Sequence, residues 1–282
     1  MARWRPRRTV RPQSHLRELQ GVWRAADWPG EPERLAPEIE DRWTTLNRHC
    51  ADRSSHLRLG RLLHRLHHRD PGVQVSALAE LELATQLIRV GARVTFLPES
   101  QARTADIECL LSRERFFVEV TAMVGSAERR RFPFRGIVLD EEQGEEEDRG
   151  VILIHRILAR IIQKAKQLAD YCDPVILSVS IPRADLQGGR QSRREVIRLD
   201  LKALAASVTV LLTNLRHLSA VLISLWDVEP LPSKAATRLA NVDLVERTKY
   251  QRTQPRVRVL IRNPGASAPL SERQKDAFLQ TL

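Results

Sequence analysis

The chain has 282 residues, room for one large domain or two small ones, and its 46 basic and 35 acidic side chains leave a net charge of +11. Apolar residues at 42% supply a sizeable core and exclude a disordered chain. Three cysteines, Cys50, Cys109 and Cys172, exclude a disulfide scaffold, match no zinc spacing and fit a reducing compartment. No run approaches the roughly 18 apolar residues of a membrane helix, and the basic N-terminus has no apolar run behind it, unlike a signal peptide. The expectation is a cytoplasmic protein with no membrane partner. Of the 46 basic residues 40 are Arg. Codon preference in a GC-rich genome explains that choice as readily as phosphate binding does. It does not explain the net positive excess, which points to an anionic partner.

Residues 1–72 read as a basic, mostly helical N-terminal extension. Residues 1–70 hold 15 Arg against nine acids, four of the five Trp and six of the eight His. The first twelve residues, with five Arg and two Pro, read as a flexible arm. Helical periodicity covers 37–68, with Leu59, Leu62, Leu63 and Leu66 as its apolar stripe. Asp70-Pro71-Gly72 reads as its stop. Residues 73–282 then take on an α/β texture. A helix over 75–90 ends at Gly91. Strands follow at 93–97, 105–111 and 114–122. The opposed charge blocks of 126–150 read as a solvated loop. A long amphipathic helix spans 151–171, a buried strand 174–181 and a polar loop 187–194. A helix at 204–215 and strands at 219–226 and 256–262 complete the pattern.

Three carboxylates stand where carboxylates are costly. Glu80 shares its helix face with Ala77, Leu83, Ala84 and Leu87. There it must be paired, hydrogen-bonded or metal-bound. Glu82 neighbours Thr85, Gln86 and Arg89 and is expected to face water. The other two lie on a candidate hairpin. With Ser112 and Arg113 as a two-residue turn, Leu111 pairs with Glu114, and Asp106 falls opposite Glu119 on one face, which Thr121 shares. Two adjacent carboxylates repel when empty. A divalent cation turns that liability into a binding site, and hard oxygen ligands with open water positions suit Mg²⁺.

Glu80, Gly91, Val94-Thr95-Phe96-Leu97, Ala105-Asp106 and Phe117-Val118-Glu119-Val120-Thr121 together resemble the PD-(D/E)XK nuclease superfamily over residues 75–182. The resemblance implies a restriction-endonuclease-like fold, a central mixed sheet flanked by helices. It implies a Mg²⁺ (or Mn²⁺) site at Asp106 and Glu119, with the Val120 carbonyl as a further donor and Glu80 as a ligand or water-holder. Ala105 replaces the motif proline, and Thr121 replaces the motif Lys, whose charge a hydroxyl cannot supply. Some branches supply that lysine from the following helix, where Lys164 borders the apolar face. At such an edge a lysine either serves the site or snorkels to solvent.

His64, His67 and His68, spaced for a metal but surrounded by Arg61, Arg65 and Arg69, read as part of a basic helix face. The N-terminal Trp residues read as packing or partner contacts rather than base-stacking platforms. No Gly-rich phosphate loop, nucleophile elbow or HExxH is present, which argues against an NTPase, a serine hydrolase and a zincin. The expectation is a Mg²⁺-dependent nuclease acting on DNA, with Glu80, Asp106, Glu119 and Lys164 as catalytic residues. The alternative is a catalytically degenerate nuclease fold that binds nucleic acid or a protein partner. Protein partners and a homodimer are further expectations.

Overall fold

The structure, a computed structural model, describes residues 32–50, 52–68, 70–98, 104–123, 146–168, 171–181, 197–226, 228–231, 239–247 and 254–281. The basic arm, Trp4, Trp23, Trp28, the 187–194 loop and most of the 126–150 charge blocks lie outside the described residues.

Three helices lead: α1 (Pro32–His49), α2 (Arg53–Leu66) and α3 (Pro71–Arg89). The stretch expected as one helical run divides at Asp52. Its carboxylate accepts the Ser55 N–H at 2.8 Å and so caps α2. Asp70-Pro71-Gly72 follows the end of α2 at Leu66, as expected of a breaker, and also starts the next helix. Asp70 accepts the Gly72 N–H, and Pro71 opens α3 at a position where a missing N–H costs nothing. Gly91 ends α3 at φ 90°, with the Ala92 N–H donated to the Leu87 carbonyl and the Gly91 N–H to the Ile88 carbonyl.

The strands are β1 (Arg93–Phe96), β2 (Ile107–Leu111), β3 (Glu114–Ala122), β4 (Val175–Ile181), β5 (Ile197–Leu199), β6 (Ala220–Leu225), β7 (Val228–Pro230), β8 (Val242–Glu246) and β9 (Val257–Arg262). Helices α4 (Glu146–Ala165), α5 (Leu201–Leu212) and α6 (Glu272–Thr281) complete the described elements. Seven strands form one mixed sheet in the order β1-β2-β3-β4-β6-β9-β8. Its centre, β3-β4-β6, is parallel, and the outer pairings are antiparallel. β5 and β7 pair in parallel as a separate two-stranded sheet. The chain is therefore α/β, a mixed sheet flanked by helices. Sequence periodicity does not register β5, β7 and β8, because three to five residues carry too little of a two-residue period.

The sheet separates two apolar cores. One lies under α1, α2, α3 and α6, the other under α4 and α5. The residues expected as a separate extension share the first core: Ile39, Leu46, Leu59, Leu62 and Leu66 pack with Leu81, Val94 and Ile107. The start of α2 also occupies the outer edge of β1. The Cys50 thiol donates to the Val94 carbonyl, Ser54 Oγ donates to the Phe96 carbonyl at 3.1 Å, and the Phe96 N–H donates to Ser55 Oγ at 2.8 Å. No helix among the described residues is long and apolar enough to cross a membrane.

Glu82 does not face water. It is buried against Arg258 of β9, whose guanidinium also donates to Gln86, Ser224 and the Thr281 carbonyl. The helical pattern of α3 alone could not show that β9 and the end of α6 close over this side.

Candidate active site

The β2–β3 hairpin has the expected register, with Ser112 and Arg113 as its turn and Leu111 opposite Glu114. Ser112 takes φ 59°, so the first central residue carries the positive φ, as in a type II′ turn. The ladder runs to Ile107 opposite Val118 and then breaks. The Asp106 N–H donates to the Val118 carbonyl, one residue out of register. Asp106 is thus not a ladder residue directly across from Glu119, as the pleat alone predicts. Its side chain turns into the edge of β3, where Oδ2 accepts the Val120 N–H at 2.8 Å. The two carboxylates still meet, with Asp106 in hydrogen-bonding reach of Glu119.

The residue before Asp106 is held from below. The Ala105 N–H donates to Tyr171 Oη at 2.8 Å, and the Tyr171 ring stacks on Phe117 with centroids 4.1 Å apart. Proline has no N–H. The Ala105 N–H therefore makes a strut that a proline at this position would forbid.

Lys164, in the last turn of α4, donates to Glu119 Oε1 at 2.7 Å. One turn earlier, Arg160 donates from Nε to Thr121 Oγ1 at 2.9 Å and from Nη1 to Gln163 Oε1. The uncharged Thr121 is thus served by a cation from the same helix face that carries Lys164.

Glu80 approaches from the other side of the sheet, from α3, and is buried. Arg58 Nη2 donates to Glu80 Oε2 at 2.9 Å and to Asp106 Oδ1 at 2.8 Å, and Arg65 Nη1 donates to Glu80 Oε1 at 2.6 Å. The result is a continuous row of charged groups, Arg65, Glu80, Arg58, Asp106, Glu119 and Lys164, in which Asp106 and Glu119 are the one like-charged pair of neighbours. Burial pushes Glu119 up to about 7; the Asp106 charge adds to this, and Lys164 opposes it. Burial raises Glu80 as well, again with Asp106 beside it and with Arg58 and Arg65 opposing.

The Asp106–Glu119 pair offers hard oxygen donors, and the burial and like charge that raise Glu119 are what a cation would relieve. The pair therefore fits a divalent ion through two side chains. Among the described residues no group of three or more His, Cys, Asp or Glu side chains is arranged to hold one ion. Both oxygens of Glu80 already carry guanidinium groups. His64, His67 and His68 form no such group either. His67 Nδ1 lies 2.8 Å from the Leu63 carbonyl, and His68 Nδ1 accepts the Asp70 N–H.

Sequence reasoning brought Asp106, Glu119 and Lys164 to one place but missed Arg58, Arg65, Arg160 and Tyr171. A signal existed for three of them. Arg58 and Arg65 flank Leu62 on the stripe that faces α3, and Arg160 lies one turn before Lys164. No protein-family model, no curated protein and no solved structure matches the chain.

Proposed function

We propose that this chain is a Mg²⁺- or Mn²⁺-dependent nuclease that hydrolyses phosphodiester bonds in DNA on a restriction-endonuclease-like fold. The observation that carries the reading is the convergence of Lys164 on Glu119, 2.7 Å away, beside Asp106. Asp106 and Glu119 would hold the ion, with the Val120 carbonyl as a candidate further donor. When bound, the ion polarises the phosphate and makes its water a stronger acid. Asp106 is oriented for this by the Val120 N–H and Arg58. Lys164 balances Glu119 without substrate and turns its ammonium to the attacking water or a phosphate oxygen when DNA is present. Arg160, half-buried against Thr121, steadies the next turn of the site. The net positive charge draws the polyanion in.

A second reading has its own observation. Arg58 sits between Glu80 and Asp106 as a fixed cation, which suits a nuclease fold that binds nucleic acid or a protein without cutting. Plasmid nicking with Mg²⁺ and Mn²⁺ separates the two. The nuclease reading expects cleavage that Asp106→Ala abolishes. It also expects Lys164→Ala to lower cleavage by about 10²–10³, with DNA binding nearly intact. Binding without metal-dependent nicking would establish the second reading.

A further inference from the structure

Arg58 comes from α2, outside the hairpin and α4 that build the rest of the site, and its side chain is 5% exposed. One nitrogen, Nη2, lies 2.9 Å from Glu80 Oε2 and 2.8 Å from Asp106 Oδ1. Arg65 takes the other Glu80 oxygen. We propose that Arg58 is a built-in cation for the Glu80–Asp106 pair, so that Glu80 is a positioning residue and this cluster takes a single divalent ion, at Asp106 and Glu119. The inference rests on the reading of that latter pair as a metal site.

The argument is one of charge and access. A guanidinium does not lose its proton in a protein. Arg58 is enclosed by protein, so it has no nearby water into which to retreat. A divalent ion between Glu80 and Asp106 would have to displace it. Mg²⁺ would also bring several waters that it gives up reluctantly, into a place already filled by a side chain. Lys164 differs on each count. Its side chain is 21% exposed, and it is a point charge on a flexible stem at a helix end. It can leave Glu119 when a stronger cation arrives. The cluster thus has one fixed cation and one yielding one, and the yielding one stands on the ligand pair. Asp106 keeps coordination capacity despite its two contacts, because a carboxylate offers about four lone-pair sites. Glu80 acts through Arg58: it holds the guanidinium that fixes Asp106 Oδ1 while the Val120 N–H fixes Oδ2.

The test counts bound Mn²⁺ on the full chain without DNA, by titration calorimetry and by the paramagnetic resonance of free Mn²⁺. The wild type should bind one ion at this cluster, the one that Asp106→Ala removes. Glu80→Gln should still bind one, whereas loss of that ion would make Glu80 a ligand and overturn the proposal. Arg58→Met should bind one ion more than the wild type, in the space between two carboxylates that no guanidinium bridges any longer. Mn²⁺ should also raise its melting temperature more than the wild type's. An Arg58→Met protein that gains no ion overturns the proposal whatever the wild type binds. A wild type that binds no ion, beside an Arg58→Met variant that gains one, would instead remove the Asp106–Glu119 reading and leave the role of Arg58 standing. Where Arg58→Met does not fold without metal, refolding in Mn²⁺ is the gain, and the Glu80→Gln count decides if it does not refold.

Discussion

Glu119 is the residue on which the proposed chemistry of the site turns. Its carboxyl ionises near 7 because it is buried, with Asp106 beside it, and Lys164 only partly compensates. An unfolded glutamate ionises near 4.5. Between those values the folded chain holds a proton that the unfolded chain has lost, so this group favours folding less as pH rises. We expect metal-free stability to fall from about pH 4.5 to about pH 7 and the Glu119→Gln protein to lack that part of the slope. Denaturant melts of both proteins across this range measure the difference, and saturating Mg²⁺ should flatten the wild-type curve, since an ion favours the ionised carboxylate. Identical slopes would place the titration elsewhere. Glu119, Asp106 and Lys164 were legible in the sequence because each leaves a local mark: a polar residue in an apolar strand, a two-residue turn that sets the register, a lysine at a helix edge. Arg58 is 22 residues from Glu80 and 48 from Asp106. Helical spacing puts Arg58 on the buried face of α2 but does not name its partners; the packing of α2 on α3 brings it to Glu80 and the entry to β2 brings Asp106 to it.

At the scale of elements, the strands of the main sheet centre and the principal helices were readable from period and punctuation. Boundaries moved where capping chemistry outweighed the apolar pattern, as at Asp52 and Asp70. The contact between α4 and β5 shows what pattern cannot reach. Gly150 packs so closely that a Cβ there would lie 2.4 Å from the Arg198 carbonyl oxygen. Alanine is the better helix former by about 1 kcal/mol. A methyl forced against backbone costs about 1–3 kcal/mol, and the obstacle is not a side chain that can swing aside. Gly150→Ala should therefore lower the melting temperature despite its propensity. A rise in thermal unfolding experiments would mean that β5 gives way without loss.

For the molecule as a whole, the charge has two separable duties. Arg58 and Arg65 are engaged inside, with Glu80 and Asp106, so attraction of a polyanion owes more to other arginines, and residues 1–12 contain five of the 40. On the proposed nuclease reading, deleting those residues should weaken DNA binding and flatten its dependence on salt, because fewer counterions are released. Cleavage at saturating DNA should survive. Binding measured by fluorescence anisotropy over a salt series gives the slope, and an unchanged slope would exclude the arm from the interface.

The side chains at the start of α2 that occupy the β1 backbone also bear on symmetry. With Val94 and Phe96 already bonded on their outer side, the sheet cannot be extended past β1. At the other end β8 pairs only with β9 among the described strands. A sheet that can grow from a single end cannot polymerise. A second copy paired along β8 would leave neither partner a further open edge of this sheet among the described strands, so association of this kind closes as a two-fold pair.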